Sequence, residues 1–549
     1  MNTGPDDVVL EVRDLSVDFQ VGGSIVPAVR GVSFAVRRGE VLALVGESGS
    51  GKSVSSLSVL GLLAPNARVR GSIRFAGNEI SELRGEPLRA LRGKGIAMIF
   101  QEPMTALNPV YTIGEQIIEA IRSHEKVSEK QARERALGLL RLVEIPEPEQ
   151  RIDSYPHHLS GGQRQRAMIA MAVSGSPEVI IADEPTTALD VTVQAEILDL
   201  LRRLQKDLGA AVLLITHDMG VVADLADRVV VMRSGAVVES APVGQLFAAP
   251  EAEYTAHLLA SVPRPTAQQE RATTTDSEFS VEVSGLDVVY PGGLGRKPFH
   301  AVHEVDLRIS RGSVHGLVGE SGSGKSTIGR AIAGLVRPAA GTIRIGGIDP
   351  YTASRAERRR LRRTYSMVFQ DPGSSLNPRL SIGDSVAAPM VINKFGSRTE
   401  IRNRVGTLLD SVEVSSDWVD RFPHELSGGQ RQRVGIARAL ALDPEFLIAD
   451  EPTSALDVSV QATVLALLAE LQERLGFSCL FISHDLAVIE LLSDQVTVLR
   501  HGRVVESAPT GTVLRSPTSG YTKRLIAAAP VPDPVAQAER RRAWQAMSA

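Results

Sequence analysis

Cysteine is nearly absent from this chain. Its 549 residues include one, Cys479, so no internal disulfide can form and no cysteine cluster can hold a metal. Cys479 sits in Cys479-Leu480-Phe481-Ile482, a buried-strand pattern that expects a small core hydrophobe. Aromatic residues make up 4% of the chain, too few for a platform on which single-stranded bases stack. Charge of one sign is also missing. With 60 Lys and Arg against 64 Asp and Glu the net charge is −4, which leaves no electrostatic footprint for nucleic acid. No apolar run reaches the 18 residues of a membrane span. The first residues, Met1 to Asp7, are polar and acidic and do not read as a signal peptide. A cytoplasmic protein is expected.

What the chain has is a long internal repeat. Gly46-Glu47-Ser48-Gly49-Ser50-Gly51-Lys52-Ser53 returns letter for letter as Gly319-Glu320-Ser321-Gly322-Ser323-Gly324-Lys325-Ser326. Both copies match G-x-x-x-x-G-K-[ST], a loop whose backbone N–H groups wrap the phosphates of a nucleotide. Each follows a short apolar run, Val41 to Val45 and Val314 to Val318, and precedes a helix-like stretch with Leu57, Leu60 and Leu63 spaced for burial in the first copy. Strand, glycine loop and helix together make an anion site. The pattern assigns Lys52 and Lys325 to the β- and γ-phosphates, and the hydroxyls of Ser53 and Ser326 to Mg²⁺.

The repeat continues well beyond the loop. Phe100-Gln101-Glu102-Pro103 pairs with Phe369-Gln370-Asp371-Pro372, and Leu159 to Arg166 (LSGGQRQR) with Leu426 to Arg433. Ile181-Ala182-Asp183-Glu184-Pro185-Thr186 pairs with Ile448-Ala449-Asp450-Glu451-Pro452-Thr453. Ala188-Leu189-Asp190 pairs with Ala455-Leu456-Asp457, and His217-Asp218 with His484-Asp485. The period, roughly 270 residues, is far too long for a solenoid and marks a duplicated domain.

In this order, phosphate loop, glutamine loop, LSGGQ signature, acidic strand end and histidine, the chain resembles the ATP-binding cassette, or ABC, ATPases over nearly its whole length, twice. The resemblance implies an α/β fold of two tandem P-loop NTPase domains. Each would have a RecA-like core, an antiparallel β subdomain and an α-helical subdomain. The expected boundaries are 1–262 for the first cassette, 263–278 for a polar linker, 279–530 for the second cassette and 531–549 for a flexible, Pro-, Ala- and Arg-rich tail. It also implies ATP and Mg²⁺ as ligands. Glu184 and Glu451 would activate the attacking water. Asp183 and Asp450 would join Ser53, Gln101, Ser326 and Gln370 around the metal. Gln101, Gln370, His217 and His484 would sense the γ-phosphate. Ser160, Gly161, Gly162 and Gln163 would close over the nucleotide held by Lys325, and Ser427, Gly428, Gly429 and Gln430 over the one held by Lys52, with Asp190 and Asp457 at the interface. The two signature glycines read as a second anion nest ahead of a helix. Tyr290 is the candidate to stack on adenine in the second half. Phe19 is the candidate in the first, with a core-facing orientation as the equal alternative.

The glutamine loops narrow the resemblance. Gln101 to Pro109 with Thr112 to Gln116, and Gln370 to Pro378 with Ser381-Ile382-Gly383, are similar to the dipeptide, oligopeptide and nickel importers, as are Tyr254-Thr255 and Tyr521-Thr522 after each cassette. That subfamily implies two integral-membrane permease partners, an extracytoplasmic solute-binding protein and a position on the cytoplasmic face of the membrane. Some members hold an iron–sulfur cluster on a cysteine group; one cysteine excludes it here. Glu102 stands where Asp is usual and Val54 where Thr is common. A twin-cassette translation factor is the alternative, although the linker is short and polar where such factors carry a long charged helix. The Arg-rich stretch Arg355 to Arg363 reads as a solvated helix face, not a nucleic-acid patch. Which solute is carried is not written in the chain.

Overall fold

The computed structural model describes residues 7–187, 189–263, 278–292, 298–370, 375–454 and 456–548. It divides into two compact units, Met1–Val262 with Pro530–Ala549, and Pro263–Ala529. Most of the expected linker (264–277), Ala188, Ala455 and the start of the second glutamine-loop segment (371–374) lie outside the described residues.

The first unit is built on a six-stranded sheet in the order Ala236–Pro242, Arg228–Arg233, Val41–Val45, Ala211–Thr216, Val179–Asp183, Ile96–Ile99. All neighbours are parallel except the first pair. Strands buried on both faces need apolar residues at every position, which is why Val41–Val45 and Val179–Asp183 read as runs, not alternations. An antiparallel sheet, Val8–Val21 between Ser24–Arg37 and Ala67–Phe75, lies beside it and alternates inward Val and Leu with outward polar residues. The second unit repeats the plan, with the order Tyr365–Val368, Phe446–Asp450, Ser478–Ile482, Val314–Gly319, Gln495–Arg500, Arg503–Pro509 and a second antiparallel sheet around Phe279–Tyr290. Cys479 is buried in its strand, where the apolar surroundings push the thiol pKa up to about 12, so it is an inert core residue.

Helices fill the middle of each unit. Ser128 and Ser397 form the capping boxes their sequences announce, opening Glu129–Leu142 and Arg398–Ser411. The helix after the first phosphate loop is shorter than the leucine spacing suggests. Lys52–Val59 ends where Gly61 takes φ 60°, and Leu62 N–H donates to Leu57 O across the turn. The arginines of Arg355–Leu361 are exposed and Leu361 is buried, so this helix presents a solvated face.

One expectation fails. Over its described residues, 531–548, the expected tail is not free: Pro534–Ser548 is a helix that packs on the first unit. Trp544 is 8% exposed, Arg541 Nη1 donates to the backbone and carboxylate oxygens of Asp224 at 3.0 Å, and Gln545 reaches Asp199 at 2.8 Å. Proline and arginine content suggested disorder, yet Pro534 stands in the first turn, where its missing N–H costs nothing. Gln537, Arg541 and Trp544 then recur at helical spacing on the docked face.

Candidate active sites on two phosphate loops

Both phosphate loops join a buried strand to a helix, and their geometry needs glycine. Gly46 has φ 148° and Gly51 φ 96°; a Cβ on Gly46 would lie 2.2 Å from Met232 O, and one on Gly51 2.7 Å from Ala28 O. Gly319 and Gly324 repeat this against Leu499 O and Ala301 O. The loop is thus pinned to the neighbouring strands, with Gly49 and Ser50, and Gly322 and Ser323, between the pins. Lys52 Nζ donates to Gly46 O (2.6 Å) and Glu47 O (2.8 Å), and Lys325 Nζ to Gly319 O (2.7 Å) and Glu320 O (2.9 Å). Each ammonium is therefore buried and held across the loop mouth. Ser48 and Ser321 lie on the outer turn of the loops.

A hydroxyl and a carboxylate meet beside each loop. Ser53 Oγ donates to Asp183 Oδ1 at 3.2 Å and Ser326 Oγ to Asp450 Oδ1 at 2.8 Å. Burial pushes the Asp183 carboxyl up to about 6, against the lowering effect of Ser53, and raises Asp450 in the same direction. A desolvated carboxylate beside a hydroxyl is a hard-oxygen donor set, which fits a cation such as Mg²⁺.

The neighbouring glutamates form the centre of each cluster. Glu184 and Glu451 take left-handed backbone, φ 47° and 45°, and each N–H donates to the adjacent strand, to Ile215 O (2.8 Å) and Ile482 O (3.0 Å). Non-glycine residues rarely adopt this conformation, and here it turns the chain sharply off the strand end. Gln101 Nε2 donates to Glu184 Oε2 at 2.8 Å, and His217 Nδ1 donates to Oε1 at 2.9 Å. Gln370 and His484 contact Glu451 Oε2 at 3.0 and 3.2 Å. Because an ionised carboxylate only accepts, both imidazoles carry their proton on Nδ1. Burial works to raise both glutamate pKa values, but the histidine hydrogen bond and charge outweigh it and leave both below the ordinary value. Burial likewise opposes the charged form of His484, and its bond to Glu451 overcomes that and raises its pKa. The structure thus brings together three expected groups per unit, glutamine, glutamate and histidine, that are scattered along the sequence.

Thr187 is a member that sequence reasoning missed. Its Oγ1 donates to Glu184 Oε2 at 2.9 Å, whereas the counterpart Ser454 donates to the backbone oxygen of Glu451 at 3.2 Å. No spacing rule distinguishes it from the other residues of Thr186-Thr187.

The signature residues separate into different tasks. Ser160 and Ser427 are N-caps, and Gln163 and Gln430 close capping boxes by accepting the serine N–H at 3.2 and 2.9 Å. The expected glycine nest is instead the first turn of a helix. Gly161 and Gly162 open Gly161–Val173, Gly428 and Gly429 open Gly428–Ala439, and all four have ordinary helical backbone. The anion-binding donors there are helix N-terminal N–H groups. Gly162 and Gly429 have packing reasons to be glycine, since a Cβ would meet Val193 and Val460 side chains at 2.7 and 2.3 Å. A Cβ on Gly161 or Gly428 would make ordinary van der Waals contact with Leu189 or Leu456, at 3.8 and 3.6 Å, so neither is glycine for want of space within its own unit. Asp190 caps Val191–Leu208 through Val193 N–H.

The two aromatic candidates differ. Tyr290 is half-buried and its hydroxyl lies 3.4 Å from Thr327 Oγ1, in the helix that follows the phosphate loop. Phe19 is half-buried against the core of the antiparallel sheet with Val54, the counterpart of Thr327. The segments after each cassette also reach the loops. Tyr521 OH accepts from Glu320 N–H at 3.3 Å under the guanidinium of Arg500 (4.9 Å to the ring). Tyr254 lies under Arg233 (4.7 Å), and burial followed by the nearby Glu47 charge raises its pKa.

A phosphate loop, a carboxylate–hydroxyl pair and a glutamate held by glutamine and histidine, present twice, define a twin-site P-loop ATPase. Known sequences specify the family. The ABC transporter family model matches residues 29–187 and 302–454, and that of the oligopeptide/dipeptide transporter C-terminal region matches 238–282 and 505–548. This chain belongs to the ABC transporter ATP-binding proteins. The glutathione import ATP-binding protein GsiA of Pectobacterium atrosepticum is 47% identical over 565 residues, 96% of this chain and 91% of that one. The oligopeptide transport ATP-binding protein OppD of Mycobacterium tuberculosis is 44% identical over 606 residues, 96% of this chain and 99% of its own. A dimeric ABC cassette bound to ADP and phosphate covers 42% of this chain and 98% of its own at 32% identity, with a TM-score of 0.39.

Proposed function

We propose that this chain is the ATP-hydrolysing subunit of an importer for peptides or a related small solute such as glutathione. It would serve two integral-membrane permease subunits at the cytoplasmic face of the membrane, with an extracytoplasmic protein delivering the solute. Among the described residues no helix is long and apolar enough to cross a membrane. The observation that carries the reading is the glutamate cluster, complete in both units, in a chain whose import relatives align over 96% of its length. Those relatives and the matched C-terminal region favour import over a ribosomal role.

In this mechanism the loop N–H groups with Lys52 and Lys325 bind the β- and γ-phosphates, while Glu184 and Glu451 orient the attacking water and accept its proton. Both glutamates are held ionised below their ordinary pKa and so are ready to accept it. Gln101 with His217, and Gln370 with His484, register the γ-phosphate. Ser53, Gln101 and Asp183, and Ser326, Gln370 and Asp450, would hold Mg²⁺, which when bound neutralises charge on the phosphates. Tyr290 and Phe19 would face the adenine. Ser160 to Gln163 and Ser427 to Gln430 would each close over the site of the other cassette, presenting the N–H groups of a helix N-terminus to the phosphates. ATP would draw the cassettes together head to tail, and loss of the γ-phosphate would release them.

Next to Gln101, Met104, Val110 and Tyr111 are 45, 71 and 51% exposed, an apolar surface fit to receive a permease helix. Cysteines placed at 104 and 110, with the buried Cys479 silent, should cross-link to membrane subunits in an ATP-dependent manner. Cross-links to soluble proteins alone would sink the import reading.

A further inference from the structure

The second unit carries a group of ligating side chains that ATP hydrolysis does not use. Asp287, on Phe279–Tyr290, and His300 and His303, on Phe299–Ser310, each offer one ligand atom, and these atoms lie within 4.8 Å of one another. His300 Nε2 is 2.7 Å from Asp287 Oδ1, and the two imidazole centroids are 3.7 Å apart. In a regular strand, residues three apart point to opposite faces. Here the register slips between the Val288–Val302 and Val289–His300 pairs. Ala301 and Val302 both turn inward, and the two histidines emerge on the same side as Asp287.

The duplicated sheet of the first unit supplies an internal control. Ser16 occupies the place of Asp287: its Oγ accepts from Gly31 N–H (3.0 Å) as Asp287 Oδ1 accepts from Glu304 N–H (3.4 Å). Arg30 occupies the place of His303, its N–H donating to Gly235 O as His303 N–H does to Gly502 O. Pro27 occupies the place of His300, by pairing with Asp18 as His300 pairs with Val289. The same bulged sheet therefore forms with none of the three ligands. The histidines and the aspartate are not there to make the fold.

We propose that Asp287, His300 and His303 bind one divalent first-row transition-metal ion of the Zn²⁺ class, at a site separate from both nucleotide sites. Two imidazoles and one carboxylate suit Zn²⁺, Ni²⁺ or Cu²⁺ and disfavour the hard, oxygen-seeking Mg²⁺ that accompanies ATP. Three protein ligands leave a position for water. The nearby cation, Arg503, is paired with Glu304 at 3.8 Å. The Glu304 N–H also donates to Asp287 Oδ1, as outer-sphere donors do at metal sites. A bound ion would clip the two strands together beside the Tyr290–Phe299 pair.

The test is calorimetric titration of the full-length protein with Zn²⁺ in a large excess of Mg²⁺, alongside thermal unfolding with and without Zn²⁺. One equivalent should bind, and unfolding should shift upward. His300→Pro with His303→Arg, the residues found at these places in the first unit, should leave metal-free unfolding unchanged. It should weaken Zn²⁺ binding by at least roughly a hundredfold, the most that losing an outer-sphere partner alone usually costs. Introducing Ser16→Asp, Pro27→His and Arg30→His together should add a second equivalent. Failure of the wild type to bind in the presence of Mg²⁺ would overturn the proposal, as would unchanged affinity and stoichiometry in the double variant.

Discussion

The two cassettes use the same residues where phosphate and water are handled, and they part company around them. Both gather Lys, Ser, Asp, Glu, Gln and His, with both glutamates in the same left-handed turn. Gln101 and His217 take separate oxygens of Glu184, while Gln370 and His484 share one oxygen of Glu451. The differences surround that centre. Thr187 bonds the first glutamate's carboxylate where Ser454 bonds the second one's backbone oxygen, Tyr290 and Thr327 stand where Phe19 and Val54 do, and the helix Pro534–Ser548 packs on the first unit. The comparison teaches that the centre tolerates little change because positioning there is the catalysis. The surroundings need only support it, and more than one packing does so.

The sharpest way to break this equivalence is to remove one catalytic base at a time. Glu184→Gln and Glu451→Gln should each lower ATP turnover in the assembled transporter, with a loss at the altered site of about 10²–10⁴-fold and ATP binding retained. If either variant hydrolyses at nearly the wild-type rate, the two sites are not equivalent. In the Glu451→Gln background, adding Ser427→Arg should abolish what remains while Ser160→Arg costs much less. The reverse ranking would mean that each cassette closes its own site.

A smaller effect sharpens the contrast at the periphery. Trp544→Ala removes a buried ring from the C-terminal helix and should destabilise the first unit by about 3 kcal/mol, the low end for a large aromatic lost from a core. Hydrogen exchange should quicken in Met219–Leu225, which that helix covers, and stay unchanged in the counterpart Leu486–Leu492. Equal changes in both would show that the helix does not belong to the first unit alone.

The smallest effect is at Thr187. Its hydrogen bond helps hold the Glu184 pKa down, so Thr187→Val should let that pKa rise. Measured with Glu451→Gln present, the acidic limb of the pH–rate profile should then move to higher pH, because more of the base is protonated at a given pH. Ser454→Ala, measured with Glu184→Gln present, should leave the profile of the second site in place. A shift of similar size there would erase the distinction.

Which of these features could be read in advance depended on how far apart the participating residues lie. The phosphate loops, capping boxes and buried strands each announce themselves in a short stretch of sequence, by glycine spacing, cap residues and runs of apolar side chains, even where their partners are distant. Sequence alone therefore determined that this chain is two P-loop domains with one full set of motif residues apiece. The glutamate clusters join Gln101 and Glu184 across 83 residues and His217 and Glu184 across 33, and only motif order hinted that they would meet. Tertiary structure alone decided the rest. It set the left-handed turn at Glu184 and Glu451, and it chose Thr187 over its neighbour as the carboxylate's donor. It also separated the signature glycine whose Cβ would clash from the one whose Cβ would make ordinary contact, and brought Tyr521 onto the phosphate loop. The docking of the last helix is the extreme case, since Arg541 meets Asp224 across 317 residues. No local pattern encodes such a contact, because the surface that stabilises the helix exists only once the first cassette has folded.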